Sequence, residues 1–273
     1  MAVLRLLQRI IDFCLTVLLW AYFLFGYFFI LLFLFVPSYI HLKKSEAVLQ
    51  KMNHVHLKCF FFWVGFLAPR TKFTIDADVR GLRSSIIVCN HISYLDPIAL
   101  VSLFPRQTTI VKNTFFSVPI FGWFLKKAGY VPSSPSEMYG PAMINHLESI
   151  KRHLAAGGNL FVFPEGTRGR GGKLAPFNKG VFSIARYCNT GLALVFIRDT
   201  DKLFRPGTFS FNMLEQNDIR LELIAKLAPD YQVDNFSINA LADQARQIFE
   251  RKIADVQADK GAMAKGKRQK AQG

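Results

Sequence analysis

The run SSIIVCNHISYLD (Ser84–Asp96) joins a continuous apolar stretch to a polar one. Its first part, IIVC, does not alternate, which suits a strand covered on both faces and predicts a central strand of a mostly parallel sheet. In such sheets sites form beyond the carboxyl ends of the strands. His91 and Asp96 stand there. An imidazole in that place can take a proton from an alcohol, and a carboxylate beside it can hold one tautomer and stabilise the imidazolium. Residues five apart on an ideal helix point well away from each other. The pair therefore needs a turn, or a turn leading into a helix, and Pro97 suits a helix start. Taken alone, the spacing is also what a packed His and a capping Asp would show.

Outward from this run the pattern repeats. TKFTIDADV (Thr71–Val79) alternates like a half-buried strand, and FVFP (Phe161–Pro164), ALVFI (Ala193–Ile197) and IRLELI (Ile219–Ile224) read as further short strands. PAMINHLESIKRHLAAGG (Pro141–Gly158), KGVFSIARYC (Lys179–Cys188) and FSINALADQARQIFERKIADV (Phe236–Val256) have helical spacing, the first ending on a glycine C-cap signal. Strands alternating with helices predict an α/β fold: one domain over 71–257, with a mostly parallel sheet flanked by helices.

FPEGTR (Phe163–Arg168) also follows directly on a predicted strand. Gly166, Thr167, Arg168, Arg170, Lys173 and Lys179 gather backbone amides and cations in one loop, which suits a phosphate or another anion. The order is not that of a P-loop. An exposed basic loop is the plainer reading.

Before the domain, residues 1–70 read as a helical membrane anchor. Phe13–Val36 is uncharged and long enough to span a hydrocarbon core. Arg5 and Arg9 precede it and Lys43 and Lys44 follow, so flanking charge does not set its orientation. A second apolar segment, Cys59–Ala68, is too short to span. It reads equally as an interfacial or re-entrant segment and as a buried helix. After the domain, residues 258–273 are rich in Lys, Ala and Gly and are predicted to be a disordered basic tail with some attraction to anionic lipid. The net charge of +15 fits nucleic acid or an anionic membrane. The apolar N-terminus favours the membrane, and no nucleic-acid motif is present. The four cysteines match no zinc spacing and read as small apolar residues kept reduced.

NHISYLD and FPEGTR together resemble the first and third blocks of the glycerolipid acyltransferase family, whose bacterial type is lysophosphatidate (1-acylglycerol-3-phosphate) acyltransferase. VKNTFFSVPIFGWFLKKAG (Val111–Gly129) is similar to the second block, with Lys112, Pro119 and Phe121-Gly122-Trp123 in place, and GKLAPFNKG (Gly172–Gly180) continues the third. The resemblance runs from about Arg80 to Ile197. It implies a transferase in which His91 of the HxxxxD motif is general base and Asp96 orients it. Glu165, Gly166 and Arg168 would bind the acceptor's head group. Thr167 and Lys179 of the basic loop, and Lys112 of the second block, join them as substrate-binding candidates. The acceptor would be a lyso-lipid, by default lysophosphatidate, and the donor acyl-CoA or acyl carrier protein. No metal or cofactor is implied. The expected location is the inner membrane of a bacterium, with the site facing the cytoplasm. The absence of GxSxG favours direct transfer over an acyl-enzyme. Phe115, Phe116, Val118, Ile120, Phe121 and Trp123 could line an acyl groove, rest on the membrane, or be ordinary core.

Two departures bear on the acceptor. The family's second block usually ends with an Arg beyond the Gly, whereas here the chain reads GYVPSSP (Gly129–Pro135). The fourth block's usual Val-Pro-Val is replaced by Leu194-Val195-Phe196. Loss of one charged partner is worth about 1.5–3 kcal/mol, enough to change acceptor preference. A lyso-aminolipid or a lysophospholipid is therefore the alternative acceptor. A non-catalytic lipid-binding protein is the alternative class, disfavoured by the intact His91 and Asp96.

Overall fold

The computed structural model describes residues 2–40, 46–119, 121–133, 141–169 and 174–270. Lys43, Lys44, Ile120, Arg170, Lys173 and residues 134–135, all part of the reading above, lie outside them. The elements run α1 (Ala2–Ile40), α2 (Glu46–Leu67), β1 (Thr71–Ile75), α3 (Ala77–Arg80), β2 (Ile86–Cys89), α4 (Leu95–Leu103), β3 (Gln107–Lys112), a 3-10 turn (Asn113–Ser117), α5 (Phe121–Lys127), β4 (Val131–Ser133), α6 (Pro141–Ala155), β5 (Asn159–Val162), α7 (Gly180–Cys188), β6 (Leu192–Arg198), α8 (Thr200–Leu203), β7 (Asn217–Leu227) and α9 (Ile238–Lys270).

The strands form one sheet in the order β1-β7-β6-β2-β5-β3-β4. From β6 to β4 the pairs are parallel; β7 runs antiparallel to β6, and β1 pairs parallel with β7. The fold class is as the strand–helix alternation predicts. β2 is central, and its period of two explains its unbroken apolar sequence. Ile87 and Cys89 face one core with Leu57, Phe60, Leu95 and Leu100, while Ile86 and Val88 face the other with Leu154, Phe182 and Phe249. The first core lies under α1, α2 and α4; the second lies under α6, α7 and α9.

Some local expectations change. The predicted strand Thr71–Val79 stops at Ile75. There the Asp76 carboxylate accepts from the amide of Leu223, taking the place of the next ladder bond, and the chain enters α3. β3, absent from the strands predicted above, is partly polar in sequence. Its buried Thr109 hydroxyl donates to the Phe161 carbonyl and so is satisfied within the sheet. The stretch predicted as a disordered tail from 258 is helical to Lys270. Ala, Lys, Met, Arg and Gln are good helix formers, and elongating a helix already packed on the domain avoids the cost of nucleation.

The N-terminal elements divide by face. α1 contains a window, Leu6–Phe29, long and apolar enough to cross a membrane, of which 11% is buried. Two of its polar groups bond to the domain: Thr16 Oγ1 accepts from the Phe211 amide (2.9 Å) and Asp12 Oδ1 from the Met213 amide (3.1 Å). The segment Cys59–Ala68 belongs mostly to the longer helix α2. Leu49, Asn53, Leu57, Phe60 and Val64 form its buried stripe, while Val55, Phe62, Trp63 and Phe66 stay exposed. The buried-helix reading thus describes one face, and the other face is apolar and open. A polar chain crosses this interface: Tyr27 donates to Asn53, Asn53 to Tyr130, and Tyr130 to Gln107 of β3, each at 2.8–2.9 Å. Cys89 and Cys188 are buried, whereas Cys14 and Cys59 lie on exposed helix faces, and all four are free.

Candidate active site

β2 ends at Cys89, and the next side chain fixes the exit of the strand. Asn90 exchanges two 2.7 Å hydrogen bonds with the backbone of Ile197, one donated and one accepted. The site is thereby tied to the end of β6. His91 follows, partly exposed, with its ring stacked on Phe163 at 4.4 Å between centroids. The chain then turns through Ile92 and Ser93 into α4. The Ser93 hydroxyl donates to the Phe204 carbonyl (2.8 Å) and holds the turn from below.

That turn solves the five-residue spacing. Asp96 lies in the first turn of α4, fully buried, and its side chain folds back over the preceding loop. Oδ2 accepts from the amides of Ile92 (2.7 Å) and Ser93 (2.8 Å) and lies 2.9 Å from His91 Nδ1. A carboxylate only accepts, so Nδ1 carries the hydrogen, and Nε2 is left with its lone pair. Oδ1 accepts from the Thr200 hydroxyl at 2.5 Å. The buried charge is thus paired and hydrogen-bonded on both oxygens, as burial of a carboxylate demands.

The second sequence motif reaches the same place. Glu165 lies in the loop after β5 and is buried. Its Oε1 accepts from the His91 amide and its Oε2 from the Ala175 amide, both at 2.9 Å. Burial pushes this carboxyl above the usual glutamate range, and the amides of Ala175 and His91 pull it back. Both oxygens face the chain's own backbone rather than open solvent. The Gly169 amide closes a further link by donating to the His91 carbonyl (2.7 Å). Between them Gly166 takes φ 64°, a left-handed turn that glycine adopts without strain.

The cations are arranged unevenly. The Arg168 guanidinium lies 3.5 Å from the centre of the Tyr94 ring, a cation–π contact linking the two motifs. Thr167 is exposed beside it. Lys179 is exposed at the start of α7, and Lys112 is exposed at the carboxyl end of β3, two strands from β2. His91, Asp96 and Glu165 are therefore joined by direct contacts, Arg168 joins them through Tyr94, and Lys112 and Lys179 flank them at the same end of the sheet. Thr200, Tyr94 and the stacking role of Phe163 are not apparent from the spacing. Thr200 is 104 positions from its partner and sits in no motif. Phe115, Val118 and Trp123 are exposed, whereas Phe116 and Phe121 pack against a small core of α2, α5 and Tyr130.

An imidazole paired with a carboxylate at the carboxyl end of a central strand, beside a loop rich in amides and cations, has the groups to take a proton next to a bound anion. Residues 70–197 match the family model described as Acyltransferase, in line with the resemblance read from the two motifs. The chain is 31% identical over 151 residues to the chloroplastic 1-acyl-sn-glycerol-3-phosphate acyltransferase BAT2 of Brassica napus, covering 53% of this chain and 43% of that protein. It is 25% identical over 215 residues to the 1-acyl-sn-glycerol-3-phosphate acyltransferase of Salmonella typhimurium, covering 75% and 82%. The chain thus spans less than half the length of the plant relative and most of the bacterial one. Its fold is that of the 1-acyl-sn-glycerophosphate acyltransferase PlsC of Thermotoga maritima, with a TM-score of 0.71 at 20% identity over 92% of this chain and 98% of that one.

Proposed function

We propose that this protein transfers a fatty acyl group from an acyl thioester, acyl-CoA or acyl carrier protein, to the free hydroxyl of lysophosphatidate, yielding phosphatidate at a membrane surface. The observation that carries this reading is the 2.9 Å contact of His91 Nδ1 with Asp96, which leaves Nε2 as the basic nitrogen. Nε2 takes the proton of the acceptor hydroxyl as its oxygen attacks the thioester carbonyl. The C–S bond then breaks, and the departing sulfur takes the proton from the imidazolium. Asp96 holds the ring and stabilises its positive charge during the step. Arg168 would leave the Tyr94 ring to fork onto the acceptor's phosphate, with Lys179 and Lys112 as further cations. Glu165 would keep the His91 backbone and the Ala175 loop at a fixed separation.

The apolar faces of α1 and α2 would lie in lipid. α1 is held along the domain from Asp12 to Tyr27, which favours helices lying in one leaflet over an independent span. A cytoplasmic face of a bacterial inner membrane is the location where acyl thioesters are available. GYVPSSP, lacking the family's arginine, favours a second reading in which a lyso-aminolipid or a lysophospholipid is the acceptor.

The test is acyl transfer by purified protein in detergent across a panel of lyso-acceptors, with His91→Ala as blank. Lysophosphatidate should be the best acceptor, and the blank should be inactive. A phosphodiester or amino-lipid preference would move the assignment to the second reading. Transfer that survives in the blank would remove His91 from the mechanism.

A further inference from the structure

β6 ends at Arg198, and the chain leaves it through Asp199 in the left-handed region, φ 64°. A non-glycine residue there is strained and persists only where its surroundings enforce it. They do so from several sides. Asn90 ties down Ile197, the Asn217 side chain donates to the Asp199 carbonyl (2.9 Å), and Lys202 pairs with the Asp199 carboxylate (3.0 Å). The turn delivers the Thr200 hydroxyl to Asp96 Oδ1 at 2.5 Å, with both residues buried at 1% and 0% exposure. The two carboxylate oxygens are then used differently. Oδ2 takes two loop amides and His91, and Oδ1 takes the threonine.

We infer that Thr200 is a positioning residue of the His91–Asp96 pair: its hydroxyl holds Asp96 so that Oδ2 faces Nδ1 of His91 and the imidazole keeps its basic Nε2 toward the acceptor. The inference rests on the reading of His91 as base. Without the hydroxyl, Oδ1 loses its donor in a dry site, where an unsatisfied acceptor turns or draws in water. The carboxylate is then no longer held against Nδ1, and the imidazolium loses its nearest opposite charge.

The experiment compares Thr200→Val, which keeps the shape without the donor, Thr200→Ser, which keeps the donor, and Thr200→Cys, a weak donor. Two readouts are taken on full-length protein in detergent: steady-state transfer to lysophosphatidate, and the titration of His91 by NMR with histidines carbon-13 labelled at Cε1. The His91 signal is assigned by its loss in His91→Ala. Thr200→Val should lower kcat by about tenfold or more, with KM for both substrates changed by less than about twofold, as expected for a group acting only on the base. The His91 midpoint and the acidic limb of the rate profile should both move to lower pH, as the imidazolium loses its carboxylate. Serine should restore both, and cysteine should fall between. If the valine protein does not fold, the cysteine protein decides on the same readouts. A His91 midpoint unchanged in the valine or the cysteine variant overturns the inference. A shifted midpoint in a protein that acylates no lyso-lipid upholds it and sinks the proposed function instead.

Discussion

Glu165 receives an amide hydrogen on each carboxylate oxygen, from His91 on one side and Ala175 on the other. A glutamine has one oxygen and one NH2, so Glu165→Gln must set donor against donor at one of the two contacts. Leaving a buried amide unpaired costs about 1–3 kcal/mol. The expected outcome is a lower melting temperature and a fall in kcat with the acceptor KM unchanged. A raised acceptor KM with kcat preserved would show instead that Glu165 touches the head group. Arg168 behaves differently, because its guanidinium rests on Tyr94 and is free to reach a ligand. Arg168→Ala should raise the acceptor KM by about tenfold or more, as loss of a charged hydrogen bond does, while donor KM stays within about twofold. An equal rise for both substrates would place the head group elsewhere.

α6 illustrates a contest between two electrostatic effects at an element's end. His153 sits in its last turn, where the helix dipole favours a cation. The ring is buried, however, against Gly158, and its Nε2 donates to the Asn159 carbonyl (3.2 Å). Burial dominates and lowers the imidazole below its ordinary value of 6.5, the Asn159 contact opposing it. The fold therefore prefers neutral His153. The unfolded chain binds the proton more readily, so stability is full above the ordinary value and is lost as pH falls through it. The melting temperature should drop between about pH 7.5 and about 5.5, across the histidine range, and His153→Gln should flatten that slope. An identical slope in the variant would assign the titration to another group.

Across the whole molecule, α1 and α2 share one core with the sheet. Leu19, Leu57, Phe60 and Val64 pack with Ile87 and Cys89 of β2 and Leu100 of α4. Removing such side chains costs about 2–5 kcal/mol each, against a total stability of about 5–15 kcal/mol for a domain. Deleting residues 1–67 should therefore yield aggregated protein without a cooperative melt, rather than a soluble enzyme. A monodisperse, cooperatively melting product would show that α1 and α2 are an attachment.

The sequence by itself determined the strand-and-helix alternation, the central place of IIVC, and the two motifs at strand ends. These depend on hydrophobic period and on turn residues, which are local properties. It also placed His91 and Asp96 near a turn, since no helix joins residues five apart on one face. Contacts made across the sheet were decided only by the tertiary structure. The partner of Asp96 on its second oxygen is Thr200, brought from another strand end, and the partners of Glu165 are backbone amides, which carry no residue-specific signature. The division of α2 into a buried and an open face was hidden for the same reason. Apolar residues surround its last part from Cys59 to Leu67, so that pattern shows that it avoids water but not which side meets protein; only the packing of the domain beneath it makes that choice.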